Sequence, residues 1–427
     1  MENKKLHYGY IMVAAVFINM LICGGILYGA SGVFIGPVTK SLNIGIGKFT
    51  LYMTIQGIAQ AILVLLAPKL LGKFPFKTLN AISAIVAGVG FGMMGFAKGV
   101  GMLYVGGVLV GFGTVFLSYL SPGVLLPRWF TSRLGIMMAV ATSGIALGGV
   151  VFNPIVAALV NSKGMLGFSE GWRSAYVILG ALIIFIILPI ALFVLKERPE
   201  DKGLWPVGYD ASAQVADGQT VVTRKVTGVS KARALKSTSF IFLVLMALCF
   251  TLPSTINQFF PNVAENSAGG GNLVGVIGSV ASAGALIGGF ILGAVNDKFG
   301  GRGGAVLGGV VGAVGLIILL LLGNSGAMLL CGAALFGVFY QLNMVQLPAM
   351  VRTMYGDLDY DKIFPVAAAV APWVGAVSYS LWGFLRDATG SYNLMFTLGA
   401  VLAILTAVTA VLAVAASKKL PHETGEA

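Results

Sequence analysis

The sequence predicts an all-α polytopic membrane protein, with twelve transmembrane helices in two pseudo-symmetric six-helix bundles. Three observations predict it. Of the 427 residues, 57% are hydrophobic and only 10% charged, where soluble domains carry roughly a quarter charged residues. The apolar residues gather into twelve runs, most of them close to the ~20 residues that a spanning helix needs. One long polar stretch divides those runs six and six.

The runs cover roughly 8–34, 48–71, 78–97, 100–126, 133–160 and 173–195, then 238–261, 273–295, 304–323, 325–351, 363–385 and 392–416. The ten-residue alternating strands of a membrane barrel, the other solution that satisfies the backbone in lipid, do not occur. The first run follows Lys4 and Lys5 as a signal peptide would. It is too long for one and lacks a small-residue cleavage site, so it reads as the first span. The expected division is an N-terminal bundle over 8–195, a cytoplasmic linker over 196–237 and a C-terminal bundle over 238–416. A solvated linker is the simpler reading of the middle stretch. Its last part, 229–237, also fits a short basic amphipathic helix on the inner leaflet. Sixty glycines suit close helix packing in lipid, and Gly144-x-x-x-Gly148 and the Ala281, Ala285, Gly289, Gly293 series read as small-residue seams.

The net charge of +12 belongs to this topology rather than to nucleic-acid binding. With the N-terminus inside, 21 of the 27 Lys and Arg residues border the inner side, and Lys40, Lys48, Lys98, Lys163, Arg173 and Arg386 the outer. That bias predicts a multi-pass protein of a prokaryotic plasma membrane, both termini cytoplasmic, facing a bilayer with an anionic inner leaflet. A monomer is expected. Cys23, Cys249 and Cys331 all fall in apolar runs, which does not suggest a disulfide framework. His7 and His422, the only histidines, stand at the termini. No metal site, catalytic residue or cofactor is expected.

All fifteen acids fall in loops or at run ends, whereas intramembrane ionisable residues normally mark ion and proton pathways. A buried carboxylate cycling a proton is therefore disfavoured, as is an organic anion held by a central Lys or Arg. The polar residues inside the runs are neutral. Tyr52, Gln56 and Gln60 share one helical face. Thr251, Ser254, Thr255 and Gln258 share another, beside Asn257. Thr114, Ser118 and Ser121 lie in the fourth run and Tyr340, Asn343 and Gln346 in the tenth. From these the candidate substrate-binding residues are Tyr28, Gln56, Tyr119, Ser254, Asn257, Gln258, Tyr340, Asn343, Trp373 and Tyr379. Interhelical hydrogen bonding is the competing role for each, and aromatic packing for those in the eleventh run. Pro253, Pro348 and Pro372 interrupt helical runs, as kinks or as breaks near a binding site.

Weak internal repetition supports the two halves. Leu126-Pro127 ends the fourth run, and Leu347-Pro348 lies near the end of the tenth. Trp172 and Tyr176 before Leu179-Gly180-Ala181 match Tyr392 and Phe396 before Leu398-Gly399-Ala400. Between the eighth and ninth runs stands Gly293-Ala-Val-Asn-Asp297-Lys298-Phe-Gly300-Gly-Arg302. This resembles the G-x-x-x-D-[RK]-x-G-[RG]-[RK] loop signature of the major facilitator superfamily. The first half has a damaged counterpart at Pro68–Lys77, with Gly72 in place of the acid and Pro75 in place of the glycine. Leu126-Pro-Arg128-Trp-Phe-Thr-Ser-Arg133-Leu134-Gly135 is similar to the fourth-to-fifth helix junction of the monocarboxylate-transporter and oxalate/formate-antiporter branch, although Leu134 intrudes between Arg133 and Gly135. Gly171-Trp172-Arg173 and Arg198-Pro199-Glu200-Asp201 add to that likeness.

The resemblance implies two bundles rocking about a central site lined by helices one, four, seven and ten. It implies a conformational gate made by Gly293, Asp297, Lys298, Gly300 and Arg302, with Arg128 and Arg133 as ion-pair candidates. Members that carry organic anions commonly have a basic residue in the cavity, which this sequence lacks. The expected function is secondary active or facilitative transport of a small organic solute by rocker-switch alternating access. A monocarboxylate or other organic acid is the first candidate, and a neutral or amphipathic compound the alternative. A coupled proton or an exchanged solute is a further partner. A membrane enzyme built on Asp357, Asp359 and Asp361, or a non-transporting sensor, is the alternative of a different class.

Overall fold

The computed structural model describes residues 7–208, 225–267, 270–323, 325–421 and 423–426. Linker residues 209–224 and His422 lie outside them. Described residues 7–44 and 51–208 form one compact unit. Residues 45–50 and those from 225 onward form a second.

Among the described residues, eleven helical stretches are long and apolar enough to cross a membrane. In the first unit they are α1 (Tyr8–Leu42), α2 (Ile46–Leu71, whose first turn belongs to the second unit), α3 (Phe76–Phe96), α4 (Val100–Trp129), α5 (Leu134–Asn161) and α6 (Gly171–Val194). In the second, α7 is Thr238–Glu265, α10 Gly326–Tyr355, α11 Lys362–Thr389 and α12 Asn393–Ser417. Between α7 and α10 runs one 49-residue helix, Val274–Leu322, whose path breaks at Gly300 (φ 69°, ψ 174°). A left-handed backbone with extended ψ is available only to glycine at low cost. The two sides of the break, 274–299 (α8) and 301–322 (α9), make twelve spans.

Small residues decide how closely these helices pack. A Cβ on Gly25 would lie 2.6 Å from the Gly148 carbonyl carbon, and one on Gly148 2.2 Å from the Leu21 carbonyl oxygen. The Gly144/Gly148 seam of α5 is thus filled by α1. On α8 the expected seam holds at Ala281 and Ala285, which pack on Gly337, and at Gly289, beside Gln341, whereas a Cβ on Gly293 would meet nothing within 4 Å. Gly284 and Gly288 join it, against the Ala334 carbonyl and Val338. Residues three and four apart share a helix face, so Ala281, Gly284, Ala285 and Gly288 form the stripe facing α10.

The linker's described ends are each fastened to their own unit. Trp129, fully buried at the end of α4, donates its indole N–H to the Lys196 carbonyl at 3.2 Å. The Val207 N–H donates to the Trp129 carbonyl at 2.8 Å. In the second unit, Val229 N–H donates to the Tyr355 carbonyl at 2.8 Å. Residues 225–228 form an antiparallel strand pair with 423–426. The expected basic segment is a six-residue helix, Lys231–Lys236. Its Lys231 N–H donates to Asp359 at 2.8 Å, so it docks on the start of α11.

Loop ions trim the ends of the first bundle. Arg173 pairs with Glu170 at 2.8 Å and donates to the Ala97 carbonyl at 2.7 Å. Burial alone would raise the Glu170 carboxyl. Hydrogen bonding by Ser41 and by Arg173, with the Arg173 charge, outweighs it and holds the group below the ordinary carboxylate value.

Candidate functional site

All four helices expected to line a cavity lose their regular winding within the span, whereas α6 does so only in its last turn, Ile190–Val194. In α1 the turn Gly24–Gly29 is π-helical, and in α4 so is Val115–Tyr119. In α7 the stretch Thr255–Phe259 is 3-10 helix. In α10 the α-helix ends at Tyr340 and restarts at Leu342. α11 has a similar break at Ala369. By contrast α2, α5 and α12 are unbroken. π-turns and 3-10 turns inside long helices leave backbone groups without their regular partner, and they concentrate at functional positions.

In the first unit the π-turns of α1 and α4 meet a polar cluster. Gln60 Nε2 on α2 donates to the Tyr28 hydroxyl at 3.0 Å, with Thr114 and Ser118 of α4 beside it. Thr114 and Ser118 return their own hydroxyl protons to the Gly111 and Thr114 carbonyls. Gln56 is buried one turn before Gln60, where its carbonyl oxygen lies 2.3 Å from where a Cβ on Gly111 would stand. Glycine at 111 is what lets α4 approach. Tyr119, at the end of the π-turn, is 52% exposed and does not join the cluster. Gln60, Thr114 and Ser118 complete this patch, and the i, i+4, i+8 face of α2 carried the signal for Gln60.

In the second unit the irregular stretch of α7 follows Pro253. The Leu252 carbonyl there accepts from the Trp382 indole N–H at 2.9 Å and from the Thr255 hydroxyl at 3.2 Å. Ser378 Oγ, 3.0 Å away, is the alternative acceptor for the same hydroxyl proton. Trp382 and Ser378 are therefore braces between α11 and α7. Ser254 spends its hydroxyl on the Thr251 carbonyl at 2.6 Å, so it serves its own helix. Gln258 is buried. Asn257 is half-buried and leaves its amide without a partner among the described residues. On α10, Asn343 donates to the Tyr340 carbonyl at 3.0 Å, bridging the break. At 100° per residue, Trp373 points away from the α11 face of Gly375, Ser378 and Trp382, and it is 46% exposed. Tyr379 is half-buried. Asn257 and Gln258 on α7 and Tyr340 and Asn343 on α10 are the neutral polar residues at the irregular stretches of this unit.

The 293–302 loop is built by glycine and braced from α10. Gly301 packs so tightly that a Cβ there would lie 2.7 Å from the Met350 nitrogen. Its N–H donates to Thr353 Oγ1 at 2.9 Å, and its carbonyl accepts from the buried Gln346 amide. Gln346, grouped by sequence with the tenth-run polar arc, is committed to this loop. Asp297, Lys298 and Arg302 are exposed, and none forms an ion pair with a described residue of its own unit. Gly293 has no close neighbour that would require glycine. In the first unit Arg128 pairs with Glu197 at 3.6 Å. Arg133 takes the left-handed conformation (φ 58°) at the N-cap of α5. Asp357 and Asp359, before the start of α11, are each taken up by a basic neighbour. Asp357 pairs with Arg352 at 2.9 Å and Asp359 with Lys362 at 2.8 Å.

Residues 45–50, which belong to the second unit, meet the C-terminal end of α11. Asp387 accepts from the N–H groups of Ile46 and Gly47 at 3.0 and 2.8 Å. It thereby satisfies two donors that a helix N-terminus leaves open.

Comparison with known proteins agrees with this architecture. The sequence profile of the Major Facilitator Superfamily matches residues 15–266. The uncharacterised MFS-type transporter YhjX of Escherichia coli is 24% identical over 344 residues, covering 78% of each chain. A protein of Agrobacterium vitis, named provisionally for tartrate transport, is 25% identical over 344 residues, 76% of this chain and 73% of that one. Among solved structures, a D-xylose–proton symporter superposes with a TM-score of 0.72 at 13% identity, covering 96% of this chain and 99% of the other. A bacterial homologue of the lysosomal transporter Spinster, inward-facing and unoccupied, gives 0.64 at 15% identity, covering 98% of both. With twelve apolar spans, mid-span breaks and a glycine-built loop between α8 and α9, the chain is a member of the major facilitator superfamily, a multi-pass membrane transporter.

Proposed function

We propose that this transporter moves a small organic acid by alternating access. The Tyr28–Gln60 patch in the first bundle and the Asn257–Asn343 patch in the second supply its contacts. The observation that carries the reading is the coincidence of broken helical winding with neutral polar side chains. Interrupted helices present backbone N–H groups and carbonyls at membrane depth, and in transporters the N-termini of such half-helices face anionic substrate groups. The name of the Agrobacterium vitis relative supports a carboxylate. An acid bound in protonated form would need no cation either, which makes a proton the natural companion of the substrate. The exposed Asp297, Lys298 and Arg302 are assigned to conformational switching rather than to binding, since they stand on the α8–α9 turn outside the apolar runs. The excess of Lys and Arg on the loops shared with the termini supports both termini being cytoplasmic.

Uptake of labelled small carboxylates into proteoliposomes, with and without an imposed pH gradient, tests this. Acceleration by an acidic exterior is expected. A second reading, transport of a neutral polar compound, is favoured by the absence of any charged side chain in the two patches. It predicts uptake of an uncharged solute with no response to pH.

A further inference from the structure

The turn between α2 and α3 is the first-bundle counterpart of the 293–302 loop, and it has a different composition. Pro68–Lys77 carries Lys69, Lys73 and Lys77 and no acid. All three lysines are exposed, and none pairs with an acid among the described residues. Glu197, the acid brought to this turn, is already engaged. It accepts the Phe76 N–H and pairs with Arg128 at 3.6 Å. The turn therefore presents three uncompensated positive charges.

From the same turn a groove of about 250 Å³ runs between α2, α3 and α4. Leu63, Leu70, Phe74, Ile82, Val86 and Phe116 line it. Ile82 and Phe74 are 52% and 48% exposed. Lys69 and Lys73 are the chain neighbours of Leu70 and Phe74, so the charge lies at the loop end of the groove. The apolar wall then follows α2 from Leu70 to Leu63, about 10 Å into the span at 1.5 Å per residue. An occupant that matches both parts is apolar along its length and anionic at the end beside the lysines.

We propose that this groove holds an acyl chain of an anionic diacyl phospholipid, with its phosphate among Lys69, Lys73 and Lys77. The loop that has lost the acid of the family signature has become a lipid headgroup platform. Each lysine near an anionic headgroup contributes about fivefold in affinity.

The test uses the full chain purified in detergent. Native mass spectrometry and thermal unfolding are compared for phosphatidylglycerol and phosphatidylcholine of identical chains. The wild type should prefer phosphatidylglycerol by at least ~fivefold. In K69Q/K73Q/K77Q the two lipids should bind alike. Ile82→Trp, which fills the groove and leaves the charges, should weaken both lipids equally. Glycerol 3-phosphate, a headgroup without chains, should not compete. Single variants Lys73→Gln and Lys77→Gln guard against misfolding of the triple variant: each, while unfolding at the wild-type temperature, should lose part of the preference. Equal binding of the two lipids by the wild type, a preference undiminished in K69Q/K73Q/K77Q or in both single lysine variants, or competition by glycerol 3-phosphate would overturn the proposal.

Discussion

The side-chain amide of Gln60 donates to the hydroxyl of Tyr28 at 3.0 Å, joining α2 to the π-helical turn of α1. A hydrogen bond between membrane helices contributes on the order of 0.6 kcal/mol to stability, too little to explain the placement of two large polar side chains beside a broken helix. Tyr28→Phe and Gln60→Leu should therefore unfold within a few degrees of the wild type. Transport should fall roughly tenfold, as expected for loss of one hydrogen bond to a bound polar solute. Uptake and thermal unfolding on the same preparations separate the two effects.

The α8–α9 turn depends on Gly301 and its two partners on α10. Removing the Thr353 hydroxyl in Thr353→Val leaves the Gly301 N–H without its acceptor, at an expected cost of about 1 kcal/mol. Gly301→Ala should cost more, because a Cβ would press on the Ala349–Met350 backbone, which cannot swing aside as a side chain can. The measurement is folded yield and unfolding temperature, with the ordering Gly301→Ala below Thr353→Val below wild type.

Asp297 stands next to that turn, exposed and without an ion pair in its own unit. If its charge serves switching, Asp297→Asn should lower turnover several-fold and leave the half-saturating substrate concentration nearly unchanged. Unchanged turnover removes the role. A raised half-saturation with normal turnover moves the residue into binding.

Asp359 gives a pH test of the linker's attachment. The Lys362 ammonium and the Lys231 N–H both donate to its carboxyl and hold it below its ordinary value of 3.8. A carboxyl depressed in the folded state adds stability above its unfolded value and loses it as pH falls through the lower folded value. The difference in unfolding temperature between wild type and Asp359→Asn should be constant from about pH 5 to 8 and shrink only below about pH 4.

Much of this fold was legible in composition and spacing. The apolar runs marked the spans, and Gly300-Gly301 between two of them marked the break that separates α8 from α9. Pro253 likewise announced the irregular stretch of α7. The π-turns were not legible. Nothing at Val115–Tyr119 forbids an α-helix, and the three glycines of Gly24–Gly29 serve equally for packing, as Gly25 does against Gly148. The part of Gln346 in bracing the loop was hidden too, since Gly301 lies 45 residues away and only the tertiary approach of α10 brings them together. The α8 seam shows a third limit. Ala281, Ala285 and Gly289 of the four-residue series do face α10, but three- and four-residue steps both follow a helix face, so Gly284 and Gly288 also belong to the seam and Gly293 falls outside it.

The central claim, that neutral polar patches beside broken helices carry a small organic acid, is tested most directly by counterflow. Proteoliposomes containing the purified chain are loaded with unlabelled candidates and diluted into trace labelled carboxylate. The account predicts transient accumulation of label driven by at least one small carboxylate and lost in Tyr28→Phe. Counterflow with neutral solutes and none with any carboxylate would contradict it.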